Sequence, residues 1–132
     1  MSDSLESSQD YLEKILMLHE KFEVVRAIDI AEFMNFSKPS VSIAMKKLKE
    51  KGLIEVNEKT GNITLTDEGN RIAASTYERH KTLTAIFEHL GVNPKTAEDD
   101  ACKIEHDLSV ETFSAIKDYV AKVKAGKIKE IE

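Results

Sequence analysis

The sequence predicts a mainly α-helical fold with one small β-hairpin. Over most of its 132 residues, apolar side chains recur every three or four positions, which is the spacing of one helix face. Two short runs, residues 53–56 and 63–65, are instead rich in branched apolar residues. They are separated by a polar stretch that contains Gly61, which is typical of a hairpin. The length suits one ordinary domain or two small units.

The composition describes a globular protein with an uneven charge distribution. Hydrophobic residues make up 41% of the chain and charged residues 33%, and the net charge of −5 argues against a generally basic surface for nucleic acid. Lysines nevertheless crowd residues 38–51, and acids crowd residues 98–111. No apolar run reaches the roughly 20 residues of a membrane span, and the N-terminus has no signal-peptide pattern. The single cysteine excludes an internal disulfide, so we expect a cytoplasmic protein.

The first helix is predicted over residues 5–22. Its apolar face consists of Leu12, Ile15, Leu16 and Phe22. Asp10 and Glu13 lie three residues apart on a neighbouring strip, so their carboxylates can converge on one point. Taken alone, the pair is better explained as solvated acids that interact with the positive end of the helix dipole.

Two short helices joined by a tight turn come next. The first covers residues 28–34, and the second begins after Ser37, a favourable N-cap, and ends before Gly52. The buried stripe of the second helix consists of Val41, Ala44, Met45 and Leu48. Its opposite face carries small polar residues early and lysines later. A helix-turn-helix requires this arrangement, because the early residues reach base edges while the lysines neutralise phosphates.

A hairpin directly after this helix predicts a wing, with Lys59 at its tip placed to touch backbone phosphate. Ile43 is the apolar exception on the polar face, and it suits either a thymine methyl group or the edge of the core. The two patterns together indicate a winged helix-turn-helix. The residues predicted to contact DNA are Ser37, Lys38, Pro39, Ser40, Ser42, Ile43, Lys46, Lys47 and Lys59.

Three further helices complete the predicted chain. Thr66 caps a long helix, the next starts at Pro94, and Ser109 caps the last. The final residues, 127–132, are expected to fray. His80 lies on the long helix, where a histidine is by itself more often a surface or core residue than a metal ligand.

The segment 101–106 carries three types of metal ligand. Cys102, Glu105 and His106 have i, i+3, i+4 spacing, so on a helix a thiolate, a carboxylate and an imidazole project from one face. One soft ligand together with nitrogen and oxygen donors suits a divalent transition metal better than calcium or magnesium. Three donors do not complete a coordination sphere, and without others the segment is equally an ordinary amphipathic helix with a buried thiol.

Taken in order, these motifs resemble the diphtheria-toxin-repressor family of metal-dependent repressors, which has iron-sensing and manganese-sensing members. The resemblance covers nearly the whole chain and rests on Asp10 to Glu13, Ile30 to Glu32, Ser37 to Ser42, Leu65-Thr66 with Gly69, Arg79-His80, and Cys102 to Ser109. It implies a winged helix-turn-helix in residues 1–73 and an all-helical dimerisation region in residues 74–132, with metal bound between them. The SH3-like domain of the longer iron-type members is not expected.

The resemblance also implies the metal ligands, position by position. Asp10 and Glu13 match the first-helix ligands of manganese-type members, whereas Cys102 stands where iron-type members have cysteine. The implied ligands are Asp10, Glu13, His80, Cys102, Glu105 and His106, with Glu98 as an additional candidate. Thr84 is a poor ligand where iron-type members have an ancillary glutamate, so their second site is not supported.

The function implied by the resemblance is that of a homodimeric repressor of metal-homeostasis genes, which binds double-stranded operator DNA when a divalent metal is bound. Fe(II) or Mn(II) is the expected metal, and Co(II), Ni(II) or Zn(II) can substitute. The alternative is a winged-helix regulator that senses a small organic ligand or an oxidant through Cys102. An enzyme is not expected, because the sequence has no glycine-rich phosphate loop, zinc-protease motif or nucleophile–base motif.

Overall fold

The computed structural model describes residues 5–126, with only the backbone described for Leu5 and Glu6. The elements are α1 (Leu5–His19), α2 (Ala27–Met34), α3 (Lys38–Glu50), β1 (Ile54–Val56), β2 (Ile63–Leu65), α4 (Asp67–His89), α5 (Pro94–Ile104) and α6 (Val110–Lys124). The predicted class, mainly α with a small β-wing, is confirmed. The predicted fraying of residues 127–132 concerns a segment outside the described residues.

The chain divides into two compact units, residues 1–75 and 76–132. The first contains α1 to α3 and the hairpin, and the second contains α5 and α6. The long helix α4 begins in the first unit and ends in the second. No helix in the described part of the chain is both long and apolar enough to cross a membrane.

The first unit is held together by one apolar core. In it α1 contacts α2 and β2, α2 contacts α3, and α3 contacts β1. The predicted stripe of α3 is buried as expected, and it packs with side chains from every other element of the unit. The core includes Leu12, Ile15, Leu18, Val25, Ile30, Ala31, Val41, Ala44, Met45, Leu48, Ile54, Ile63 and Ala73. Phe22 was predicted on the apolar face of α1, but it lies beyond the end of that helix and is 54% exposed.

The turn between α2 and α3 is defined by a C-cap at Asn35 and by the predicted N-cap at Ser37. Asn35 ends α2 in the left-handed conformation, with a φ of 59°. Ser37 then caps α3 by accepting a hydrogen bond from the backbone N–H of Ser40 at 3.3 Å. These two local features fix where one helix stops and the next starts, which defines the helix-turn-helix.

The hairpin is antiparallel, with Ile54 opposite Leu65 and Val56 opposite Ile63. The close approach of α4 to the start of the hairpin depends on Gly69, because a Cβ atom at that position would overlap the carbonyl oxygen of Leu53. Thr66 caps α4 by accepting a hydrogen bond from the N–H of Gly69 at 3.1 Å.

In the second unit, α5 is shorter than its metal-ligand pattern suggested. Asn93 caps its start and Ile104 is its last residue, so Glu105 is the C-cap and His106 lies in the following turn. The prediction that Cys102, Glu105 and His106 lie on one continuous helix was therefore wrong for His106. Glu105 keeps helical dihedral angles, and its carboxylate lies within 4.8 Å of the Cys102 sulfur. Ser109 caps α6 as predicted, by accepting a hydrogen bond from the N–H of Thr112 at 3.1 Å.

Candidate metal centre and nucleic-acid interface

The polar face of α3 is available to a large partner. Seven of the eight predicted DNA-contacting residues in or before α3 are exposed, and Lys47 is half-buried. Ile43 is 54% exposed, so most of its side chain lies outside the core. Of its two sequence interpretations, contact with a thymine methyl group fits this exposure better than filling the edge of the core.

The wing tip has a defined backbone conformation. The side-chain oxygen of Asn57 accepts hydrogen bonds from the backbone N–H groups of Lys59, at 2.9 Å, and Thr60, at 3.0 Å. Gly61 follows with a φ of 78°, a conformation that glycine adopts without strain. The exposed Lys59 is thus carried by an ordered turn rather than a loose loop.

The wing is also fastened to the connection between α1 and α2. His19, at the end of α1, donates from Nε2 to the carbonyl oxygen of Ile63 at 2.6 Å. Arg26 donates from Nε to the carbonyl oxygen of Thr60 at 2.7 Å. The side chain of Asn62 accepts from the N–H of Val25 at 2.8 Å. These contacts could not be predicted from local spacing, because the partners are 34 to 44 residues apart.

The α1 carboxylates are in two different environments. Asp10 is half-buried, whereas the side chain of Glu13 has no solvent exposure. Glu13 Oε1 accepts a hydrogen bond from Lys14 Nζ at 2.8 Å, and Oε2 has no hydrogen-bond partner among the described residues. Burial and the nearby Asp10 carboxylate raise the pKa of the Tyr11 hydroxyl. Because the side chain of Glu13 is fully buried, its interpretation as a solvated acid is wrong.

The second unit brings three of the predicted ligands together. His80 Nδ1 lies 2.9 Å from Glu105 Oε2, which is a hydrogen bond when that nitrogen carries the proton. His106 Nε2 lies 3.5 Å from Glu105 Oε1. The Glu105 side chain is fully buried and that of His106 is only 4% exposed. A carboxylate between two imidazoles is a set of oxygen and nitrogen donors that suits a divalent transition metal.

The remaining candidates differ in their distance from this group. Cys102 is half-buried in the last turn of α5, and its sulfur lies within 4.8 Å of a carboxylate oxygen of Glu105. Glu98 is exposed on the same helix. Thr84 donates its hydroxyl hydrogen to the carbonyl oxygen of His80 at 2.8 Å, so its side chain is engaged within α4. Neither the exposure of Glu98 nor the hydrogen bond of Thr84 gives a reason to count these residues among the ligands.

The buried carboxylate of Glu13 shows whether the residues present are suited to a metal ion. Carboxylates are almost never fully buried unless they are paired or coordinate a metal. Glu13 meets the condition of burial, yet only one of its oxygens is satisfied within the described residues. The carboxylate of Glu13 therefore fits a cation that accepts oxygen ligands.

Both parts of the chain are similar to the domains of known metal-dependent repressors. Residues 3–62 match the N-terminal DNA-binding domain of iron-dependent repressors, and residues 66–126 match their metal-binding and dimerisation domain. An HTH-type transcriptional regulator of Methanocaldococcus jannaschii is 36% identical over 94% of this chain and 98% of its own length. The transcriptional regulator MntR of Escherichia coli is 35% identical over 86% of this chain and 72% of its own length.

The fold is also that of a solved repressor. A manganese-dependent transcriptional repressor in complex with manganese is 30% identical, with a TM-score of 0.76 over 92% of this chain. The chain spans 53% of that protein's length. The matched domains and relatives are those of transcriptional regulators rather than enzymes. Together these findings show that the chain belongs to the iron-dependent repressor family, with a DNA-binding domain followed by a metal-binding and dimerisation domain.

Proposed function

We propose that this protein is a homodimeric repressor of metal-homeostasis genes that binds operator DNA when a divalent transition metal is bound. The observation that carries the proposal is the burial of two carboxylates, Glu13 and Glu105, which are 0% and 1% exposed. Full burial of an acid is costly unless positive charge compensates it, and Lys14 Nζ pairs with only one oxygen of Glu13, at 2.8 Å. The other oxygen has no partner among the described residues, which leaves it open to a second positive charge. Membership of a family with a metal-binding domain supports a metal ion as that charge.

The proposed ligands are Asp10 and Glu13 from α1 together with His80, Cys102, Glu105 and His106. Asp10 and Glu13 belong to the unit that contains α3, and the other four belong to the second unit. Ligands drawn from both units would restrict the orientation of α3. In a dimer, the two copies of α3 would then be held about one DNA turn apart, as successive major grooves require.

The proposed ligands do not all prefer the same metal. The thiolate of Cys102 favours iron, cobalt or zinc, whereas the carboxylates of Asp10, Glu13 and Glu105 accept manganese readily. We propose Fe(II) or Mn(II) as the physiological metal. One relative is named as manganese-dependent, which supports manganese, and the family description supports iron. We also propose that the protein acts in the cytoplasm, where operator DNA is found.

DNA would be recognised by α3 and the wing in different ways. The early residues Ser40, Ser42 and Ile43 are exposed and are proposed to meet base edges in the major groove. The exposed Lys38 and Lys46, together with Lys59 on the wing, are proposed to neutralise phosphates. The two groups have different roles because contacts of lysines with phosphates add affinity that does not depend on the DNA sequence, whereas contacts with base edges do.

The test is operator binding measured anaerobically against titrations of Mn(II), Fe(II), Co(II) and Zn(II), with metal stoichiometry determined in parallel. Glu13→Ala and His106→Ala should abolish the metal-stimulated part of operator binding and leave the dimer folded. Asp100→Ala, an exposed acid on α5, is the matched control and should behave as the parent. Equal operator affinity for parent and ligand variants across the titration would contradict the proposal.

Operator binding measured with a chelator and with peroxide distinguishes the proposal from the oxidant-sensing alternative. A chelator should release the metal-activated parent from DNA, and peroxide added to the metal-free protein should not change its affinity for DNA. Release by peroxide alone, lost in Cys102→Ser, would instead identify Cys102 as a thiol switch.

A further inference from the structure

The turn that follows α5 carries two of the proposed ligands, although it lies outside the regular hydrogen bonding of the helix. Glu105 caps the helix and donates its N–H to the carbonyl oxygen of Ala101 at 3.0 Å. Asp107 donates its N–H to the carbonyl oxygen of Ile104, also at 3.0 Å. Carbonyl groups at a helix end lack intrahelical partners, so another group must satisfy them if the turn is to keep one conformation.

Arg79 supplies that group from α4. Its Nη1 donates to the carbonyl oxygen of Glu105 at 3.1 Å and to that of Leu108 at 2.8 Å. The guanidinium carbon also lies 5.0 Å from the ring centre of Phe113, which is 8% exposed. One side chain therefore spans the turn at both ends and rests on the first turns of α6.

Glu105 is held at two places by consecutive residues of α4. Arg79 binds its carbonyl oxygen, and His80 lies 2.9 Å from its carboxylate. A single rigid helix thus fixes both the backbone and the side chain of the same proposed ligand. The planar guanidinium is suited to this task, because it offers several fixed donors and also stacks on an aromatic face.

We propose that Arg79 is a positioning residue of the metal centre, which holds the turn so that Glu105 and His106 present their donor atoms in one geometry. This inference rests on the proposed function, because it assumes that both residues bind metal. Outer groups that orient metal ligands commonly contribute about 10- to 100-fold to metal affinity. We expect a loss of that size when Arg79 is replaced.

The test compares Arg79→Met with Arg71→Met. Arg71 is on the same helix, where it forms an exposed hydrogen-bonded pair with Glu68, so it controls for the loss of an arginine. In Arg79→Met we expect Co(II) and Mn(II) affinity about 10- to 100-fold weaker and a changed Co(II) absorption spectrum. Arg71→Met should keep the affinity and spectrum of the parent.

Two further measurements separate positioning from general destabilisation. Leu83→Val weakens the core of the second unit without removing a donor, since Leu83 is fully buried on α4. If it weakens metal binding as much as Arg79→Met at equal loss of thermal stability, the proposal is overturned. If Arg79→Met does not fold, Arg79→Gln takes its place, since it keeps a polar side chain but removes the guanidinium. Parent-like metal affinity in that variant would also overturn the proposal.

Hydrogen exchange distinguishes this inference from the proposed function. In the metal-free chain, the amides of Glu105 and Asp107 should exchange faster in Arg79→Met than in the parent, while those of α6 remain protected. Unchanged exchange at both amides refutes the role of Arg79. If the parent binds no metal at all, the proposed function fails, and the exchange data still decide whether Arg79 orders the turn.

Discussion

Glu13 is the residue at which the energetic effect of metal binding is easiest to measure. Its carboxylate is fully buried with one oxygen unpartnered among the described residues. An unsatisfied buried polar group costs about 1–3 kcal/mol. We predict that metal-free Glu13→Gln is as stable as the parent to within about 1 kcal/mol, because loss of the ion pair with Lys14 offsets the removal of a buried charge with one unpartnered oxygen.

The same variant should lose the stabilisation that metal gives the parent. At a metal concentration about 100 times Kd, the parent gains roughly 2.7 kcal/mol in its free energy of unfolding. Glu13→Gln should gain little under the same conditions, as measured by urea unfolding with and without Mn(II). Glu32→Gln, an exposed acid on α2, serves as the control. Full metal stabilisation of Glu13→Gln would rule out Glu13 as a ligand.

At the scale of elements, the wing gives a prediction about salt dependence. Each phosphate neutralised by a lysine adds about 0.9 to the slope of log K against log salt. Lys59→Ala should therefore lower that slope by about 1 and weaken binding to all DNA sequences alike. Lys95→Ala, on the exposed first turn of α5, should leave the slope unchanged. An unchanged slope in Lys59→Ala would mean that the wing tip does not touch phosphate.

The fastening of the wing predicts that Lys59 depends on Arg26. Arg26 holds the tip through the carbonyl oxygen of Thr60, the residue next to Lys59. We expect Lys59→Ala to cost less affinity in an Arg26→Met background than in the parent. Without Arg26 the wing tip is not held in place, so Lys59 contributes less to phosphate binding before it is removed. Operator binding of the two single variants and the double variant measures the coupling. Strict additivity would show that the two residues act independently.

For the whole molecule, thermodynamic linkage makes the coupling between metal and DNA reciprocal. If metal tightens operator binding by some factor, operator must tighten metal binding by the same factor, and such factors are typically about 5 to 150. We predict equal factors when operator affinity is measured with and without Mn(II), and Mn(II) affinity with and without operator. His106→Ala should bring both factors to about one. Metal affinity that does not respond to operator would exclude metal activation of DNA binding.

Local spacing was sufficient to predict much of this protein from its sequence. The stripe Val41, Ala44, Met45 and Leu48 follows the helical period and is buried as predicted, and the caps at Ser37, Thr66 and Ser109 are where polar side chains precede apolar runs. Residue order also predicted the family, because several motifs in one sequence are far more specific than any one of them. These features depend on neighbours within a few positions, which sequence records directly.

Tertiary structure decided the features that join distant residues. The full burial of Glu13, the hydrogen bonds of His19 and Arg26 to the wing, and the contact of Arg79 with the turn after α5 all depend on packing. Even the end of α5 at Ile104 was missed, since the i, i+3, i+4 spacing of the ligands continues past it. Periodicity describes which face a side chain occupies within a helix. It does not describe where that helix stops or which remote groups pack against it, and the environment of each buried charge is set by those groups.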